Sequence, residues 1–145
     1  MRHSKYTLED KVYTEKSTQQ EIEALRSRVF MHSPNIIYYK EIKLMSPFSV
    51  NTLFDHADEL IVGLDRPGML IDIRETNVPN TQTRRRKYAR FAKISKKIEH
   101  ASFLIGGNVL VRAVAMFVMP QTKLESYSLH KKLDDAISVL NNKVG

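Results

Sequence analysis

Two apolar runs of strand length, residues 69–73 (MLIDI) and 101–105 (ASFLI), lie between stretches of helical period, and this alternation constrains the chain more than any other feature. Runs of this kind form strands buried on both faces. Strands that alternate with helices imply parallel pairs joined by right-handed crossovers. Upstream, residues 27–44 hold two β-rich runs separated by Ser33-Pro34-Asn35. Pro34 bars the helical region for Ser33, so this segment reads as a β-hairpin.

The helical stretches have legible ends. Over 46–64, Val50, Leu53, Phe54, Ala57, Leu60 and Ile61 recur on one stripe; Ser46-Pro47 supplies a start and Gly63 a stop. Residues 80–97 form a second helix, with Asn80 or Thr81 as its cap. At ~100° per residue, Tyr88, Phe91, Ala92, Ile94, Ser95 and Ile98 share one face. Arg86, Arg90, Lys93, Lys96 and Lys97 fall together on the opposite one and are expected to face water. An almost wholly apolar helix follows at 108–119, then a short strand near 125–128. A C-terminal helix places Leu129, Leu133, Ala136, Ile137 and Leu140 on one side.

The 145 residues suit one domain, read as 21–145 after a polar arm at 1–20. Cysteine is absent, which excludes thiolate nucleophiles, disulfides and cysteine-based metal sites. The first residues lack the apolar core of a secretory signal, and the most apolar run, 108–120, is interrupted by Arg112 and too short to span a bilayer. A cytoplasmic protein without membrane insertion is expected. The net charge of +7 is a local property: residues 80–97 carry eight Lys or Arg and no acid, leaving the remainder at −1. A chain built to coat nucleic acid spreads its cations over a wider footprint. Tyr88 and Phe91 also point to the core, which leaves no stacking platform on the basic side.

No catalytic constellation emerges. The five histidines show no metal-ligand spacing, and His56, with Asp55, Asp58 and Glu59 beside it, reads as a solvated helix face. Phosphate-loop, dinucleotide and nucleophile-elbow motifs are missing. No metal, cofactor or catalytic residue is therefore assigned. Asp72, inside a buried strand, is expected to hydrogen-bond the loop that follows or to help form a site at the strand's carboxyl edge, where open α/β sheets bind ligands. Gly106-Gly107-Asn108 let a strand turn into a helix and offer backbone N–H groups to an anion.

With these residues placed, the chain from about 27 to 141 resembles the STAS domain family, in particular its SpoIIAA-like anti-sigma-factor-antagonist branch. The likeness lies in MLIDIRETNVPNTQTR (69–84), KIEHASFLIGG (97–107), the apolar helix after it and LHKKLDDAISVL (129–140). The family pattern is an apolar strand ending Asp-Leu, a loop, then Asp-Ser-Ser-Gly opening a helix. Laid against it, Asp72-Ile73 match the strand end, Asn80 takes the loop aspartate's place, Thr81 that of the phosphorylated serine and Thr83 that of the glycine.

The resemblance implies an α/β fold: a mostly parallel mixed sheet with an N-terminal β-hairpin and helices packed mainly on one face. It also implies a non-catalytic module that binds a partner protein, an anti-sigma-type kinase in the best-understood cases, with Thr81 as phospho-acceptor. The partner or anion surface would comprise Asp72, Asn80, Thr83, Arg84, Arg85, Gly106, Gly107 and Asn108. Two alternatives stand beside it: a small anionic or lipid ligand in the same crevice, and nucleic acid on the cationic helix 84–97. A homodimer contact through helix 108–119 is also open.

Overall fold

The computed structural model describes residues 11–107 and 126–144, so the expected helix at 108–119, Asn108 and the first half of the N-terminal arm lie outside the described residues. Where the polar lead-in is described, it is not frayed. Tyr13 is fully buried, and its carbonyl accepts a 2.6 Å hydrogen bond from the Ser46 hydroxyl. Lys11 pairs with Glu21. A polar average hid one anchoring aromatic.

Helix α1 (Gln19–Arg26) opens on a capping box: Thr18 Oγ1 accepts from the Glu21 N–H, and Glu21 Oε1 accepts from the Thr18 N–H. Strands β1 (Val29–Ser33) and β2 (Ile36–Lys40) then form the expected antiparallel hairpin, with an irregular register between Met31 and Ser33. Helix α2 (Pro47–Ile61) starts on a second capping box between Ser46 and Ser49, with Pro47 in the first turn where its missing N–H costs nothing. It stops before Gly63, whose φ of +87° glycine adopts without strain.

Strand β3 (Gly68–Asp72), helix α3 (Thr81–Ile94), strand β4 (His100–Leu104), strand β5 (Tyr127–His130) and helix α4 (Leu133–Val144) complete the described elements. The sheet order is β1-β2-β3-β4-β5, antiparallel in its first pair and parallel in the other three. Leu129 departs from its expected place on the C-terminal helix. It lies in β5, opposite Phe103, because Tyr127 and Leu129 alternate with Ser128 and His130 at strand period.

The sheet separates two cores. On one face Tyr39, Ile71 and Phe103 stand in register under α2 and α3. An aromatic chain runs through this core, Tyr39 to Phe54 at 4.9 Å, Phe54 to Phe91 at 4.8 Å and Phe91 to Phe103 at 5.8 Å between centroids. On the other face α4 lays Ala136 and Leu140 on Ile36, Leu70 and Leu104. Gly68 allows that approach: a Cβ there would sit 2.8 Å from Leu140 Cδ2. Of the expected inner face of α3, Phe91, Ile94 and Ile98 are buried and Tyr88 is half-buried.

Candidate functional site

The carboxyl edge of the parallel strands gathers the ends of β2, β3 and β4, the loop from β3 to α3, and the start of α3. Two buried carboxylates organise it, and each is matched from within the chain.

Asp72 ends β3 and is almost fully buried. Its Oδ1 accepts from the Arg74 N–H at 3.1 Å and Nε at 3.0 Å; its Oδ2 accepts from Arg74 Nη2 at 2.8 Å and from the Tyr38 hydroxyl at 2.7 Å. Burial alone would raise this carboxyl's pKa, but the hydrogen bonds from Arg74 and Tyr38 outweigh it and hold the group below the ordinary carboxylate range. Burial and the hydrogen bond to Asp72 push the Tyr38 phenol up to about 12. Arg74 is raised above its usual value by the same pairing. Asp72 thus bonds the loop that follows it and is an internal residue, not part of an exposed binding surface. The arginine stem also packs against Gly106, where a Cβ would lie 3.1 Å from Arg74 Cγ. Gly106 adopts a φ of +58°, so the β3 and β4 loops meet at a position suited to glycine.

Glu41, directly after β2, has a side chain with no exposure. Its Oε1 accepts from Lys87 Nζ of α3 at 3.0 Å and from Thr76 Oγ1 of the β3–α3 loop at 3.1 Å. The Tyr39 hydroxyl reaches Oε2 at 3.4 Å, and burial, then the Glu41 charge, push that phenol well above its normal value. Sequence reasoning missed this centre. Its one local signal is an acid directly after an apolar run; Lys87 is indistinguishable among its basic neighbours.

Beyond these centres the helix start is exposed. Asn80 caps α3, its Oδ1 accepting from the Thr83 N–H at 2.8 Å. Thr81 is exposed, and Arg84 Nη2 donates to its hydroxyl at 3.1 Å. A shallow depression on the outer side of the helix is lined by Thr81, Gln82, Arg85, Arg86 and Ala89. Gly107 is exposed as well. Thr83, expected on the binding surface, is instead fully buried beneath the helix, and its hydroxyl has no hydrogen-bond partner among the described residues. The N-cap fixes that orientation by holding the Thr83 amide.

The cationic stripe divides. Arg86, Lys93 and Lys96 are exposed as expected. Arg90 is not: its side chain is 14% exposed, it bonds Asp55, Asp58 and Asn51 of α2, and it covers the Phe54 ring. Lys97 pairs with Asp58. The physical reason is that α2 lies beside α3, so the cations on that flank meet α2's acids rather than water. Asp55 and Glu59 stay exposed, as expected of a solvated face, while Asp55 pairs with Arg90 and Glu59 with Arg26 of α1 at 2.8 Å. Among the described residues no cluster of His, Asp or Glu is arranged to hold a metal ion, and no helix is long and apolar enough to cross a membrane.

No protein-family model and no curated protein matches the chain. Among solved structures, the chain is similar to an uncharacterised protein of the DUF3478 family from Shewanella loihica PV-4, described as having a SpoIIAA-like fold. The TM-score is 0.59 at 14% sequence identity, over 77% of this chain and 90% of that one. The likeness establishes a SpoIIAA-like α/β fold, as the order of elements and the antiparallel entry hairpin implied.

Proposed function

We propose that the chain is a non-catalytic regulatory module that binds an acidic surface of a partner protein on the start and outer side of α3, and that phosphorylation of Thr81 switches this binding. One contrast carries the proposal. The buried charges of the sheet edge are neutralised internally by Arg74 and Lys87, whereas Thr81, Arg85 and Arg86 stand exposed around a common depression. The internal pairs make a rigid support, and the exposed cations are free to meet carboxylates. Three arginines in the first turns of a helix oppose its dipole, so local stability does not account for them.

The switch follows from charge. A phosphate on Thr81 adds about −1.5 to −2 at a helix N-terminus, where negative charge is favoured. Arg84, already bonded to the Thr81 hydroxyl, and Arg85 would pair with it. The positive field offered to an acidic partner is then consumed within the chain.

The test uses the protein with an anti-sigma-type kinase. Phosphate should be mapped to Thr81, and Arg85→Glu with Arg86→Glu should weaken complex formation at least about tenfold while leaving thermal stability intact. Labelling at another residue, or unchanged affinity of the charge-reversed protein, overturns the reading. The same depression favours a second reading, a small anionic ligand; a thermal-shift screen with nucleotides and anionic lipids separates the two.

A further inference from the structure

The face of the sheet under α4 carries a polar ladder that the proposed function does not use. Ser126 and the two β5 residues Ser128 and His130 alternate toward this face, and β4 presents His100 and Ser102 beside them. His100 Nδ1 lies 2.7 Å from Ser126 Oγ, and His100 Nε2 lies 2.8 Å from Ser128 Oγ. His130 Nε2 approaches the same Ser128 oxygen at 2.6 Å. Two imidazoles therefore converge on one hydroxyl at the edge of the parallel sheet.

A proton count constrains this arrangement. A serine hydroxyl has one proton to donate and two lone pairs to accept with. With both rings neutral, one Nε2 must donate to Ser128 and the other must accept from it. One added proton fits without breaking a bond: His100 donates from both ring nitrogens, to Ser126 and to Ser128, and the Ser128 hydroxyl donates its hydrogen bond to His130 Nε2. A second proton fits only poorly. Both Nε2–H groups then take the two lone pairs of one oxygen, and the Ser128 hydroxyl must turn to a longer bond, to Ser102 Oγ at 3.5 Å. Two cationic rings would also share that oxygen at short range.

We infer that His100, Ser128 and His130 form a proton-operated latch that ties β4 to β5 on the face covered by α4; the latch holds its first proton intact and opens on its second. Among the described residues, the charged groups acting on the pair are Glu99 before β4 and Lys143 and Asp135 of α4. Burial lowers the pKa of His100, and Lys143 and then His130 lower it further against the pull of Glu99. Burial also lowers that of His130, against Asp135. A folded-state pKa below the unfolded value means the unfolded chain takes up protons first as pH falls. The latch therefore contributes its full stability above the ordinary histidine pKa and loses it as pH drops through the folded values.

The experiment is a histidine-resolved NMR titration of the full chain, with amide hydrogen exchange followed from about pH 7.5 to about pH 5. The pair should titrate in two steps at least about 1 pH unit apart, and exchange in β5 and α4 should accelerate across the second step while α2 and α3 stay protected. Ser128→Ala should bring the two steps closer together, and His130→Gln should abolish the second step with its exchange response. Two independent titrations near the ordinary histidine value, or acid-induced exchange spread evenly over the fold, overturns the inference. The wild-type titration decides it even if a variant does not fold.

Discussion

Arg90 of α3 lies over the ring of Phe54 of α2, its guanidinium carbon 5.5 Å from the ring centroid, and the same group reaches Asp55 at 2.8 Å and Asp58 at 3.2 Å. One side chain thus joins the aromatic core to an ion pair between neighbouring helices. The cations of residues 80–97 are in part the complement of acids on α2.

Arg90→Ala removes a cation–π contact and several charge-assisted hydrogen bonds from a mostly buried site. It should cost about 2–3 kcal/mol in urea unfolding. A double-mutant cycle with Asp58→Asn should return a coupling energy of at least about 0.5 kcal/mol. Arg86→Ala, on the exposed side of the same helix, should stay within about 0.5 kcal/mol of wild type.

Lys87→Met leaves the Glu41 carboxylate buried without its counter-charge. Equilibrium unfolding should show a loss of about 3–5 kcal/mol. Adding Glu41→Gln to Lys87→Met should recover most of it, because the neutral amide keeps a partner in Thr76 without stranding a charge. If the double variant is no more stable than the single one, the ion pair is not what holds α3 to the end of β2.

The Asp72 carboxyl is held below its unfolded value by Arg74 and Tyr38, so its contribution is present above the unfolded pKa and disappears as pH falls through the folded one. Acid unfolding should therefore have a limb below about pH 4. Arg74→Met should move that limb upward, as read by circular dichroism against pH. At the alkaline end, Tyr38 should ionise near 12 in a spectrophotometric titration, and its contribution should fade as pH rises from the free phenol's range to that value.

Gly68→Ala places a methyl group within 2.8 Å of Leu140 Cδ2. Overpacking α4 in this way should cost about 1–3 kcal/mol. Leu140→Ala alone should cost about 2–5 kcal/mol by opening a cavity. Together the two changes should cost less than their sum, since the new methyl occupies part of the space that Leu140 vacates.

The strands and helices α2, α3 and α4 were legible because their signals are local, whereas α1, eight residues long behind a polar lead-in, was missed although its Thr18–Glu21 capping box is equally local. The capping pair Ser46-Pro47, the breaker at residues 33–35 and the apolar runs of β3 and β4 each act within a few residues. Where the reading failed, a longer-range fact overrode a local one. Leu129 matches a helical stripe yet pairs with Phe103 in the sheet. Thr83 has the polarity of a surface residue yet is buried beneath its own helix. Tyr13 anchors a segment whose composition suggests no anchor.

Periodicity, caps and breakers in the sequence alone determine the order of the described strands and helices from β1 onward and the α/β class, since backbone geometry imposes periods of about 3.6 and 2 on any amphipathic segment. The tertiary structure alone decides which charges meet. Arg90 and Asp58 are 32 residues apart, and Lys87 and Glu41 are 46 apart. A helical wheel shows which way a side chain points but not what stands opposite it. Because electrostatic attraction depends on distance through space and on burial, the division of one basic tract into internal ties and an exposed docking face exists only in the folded chain.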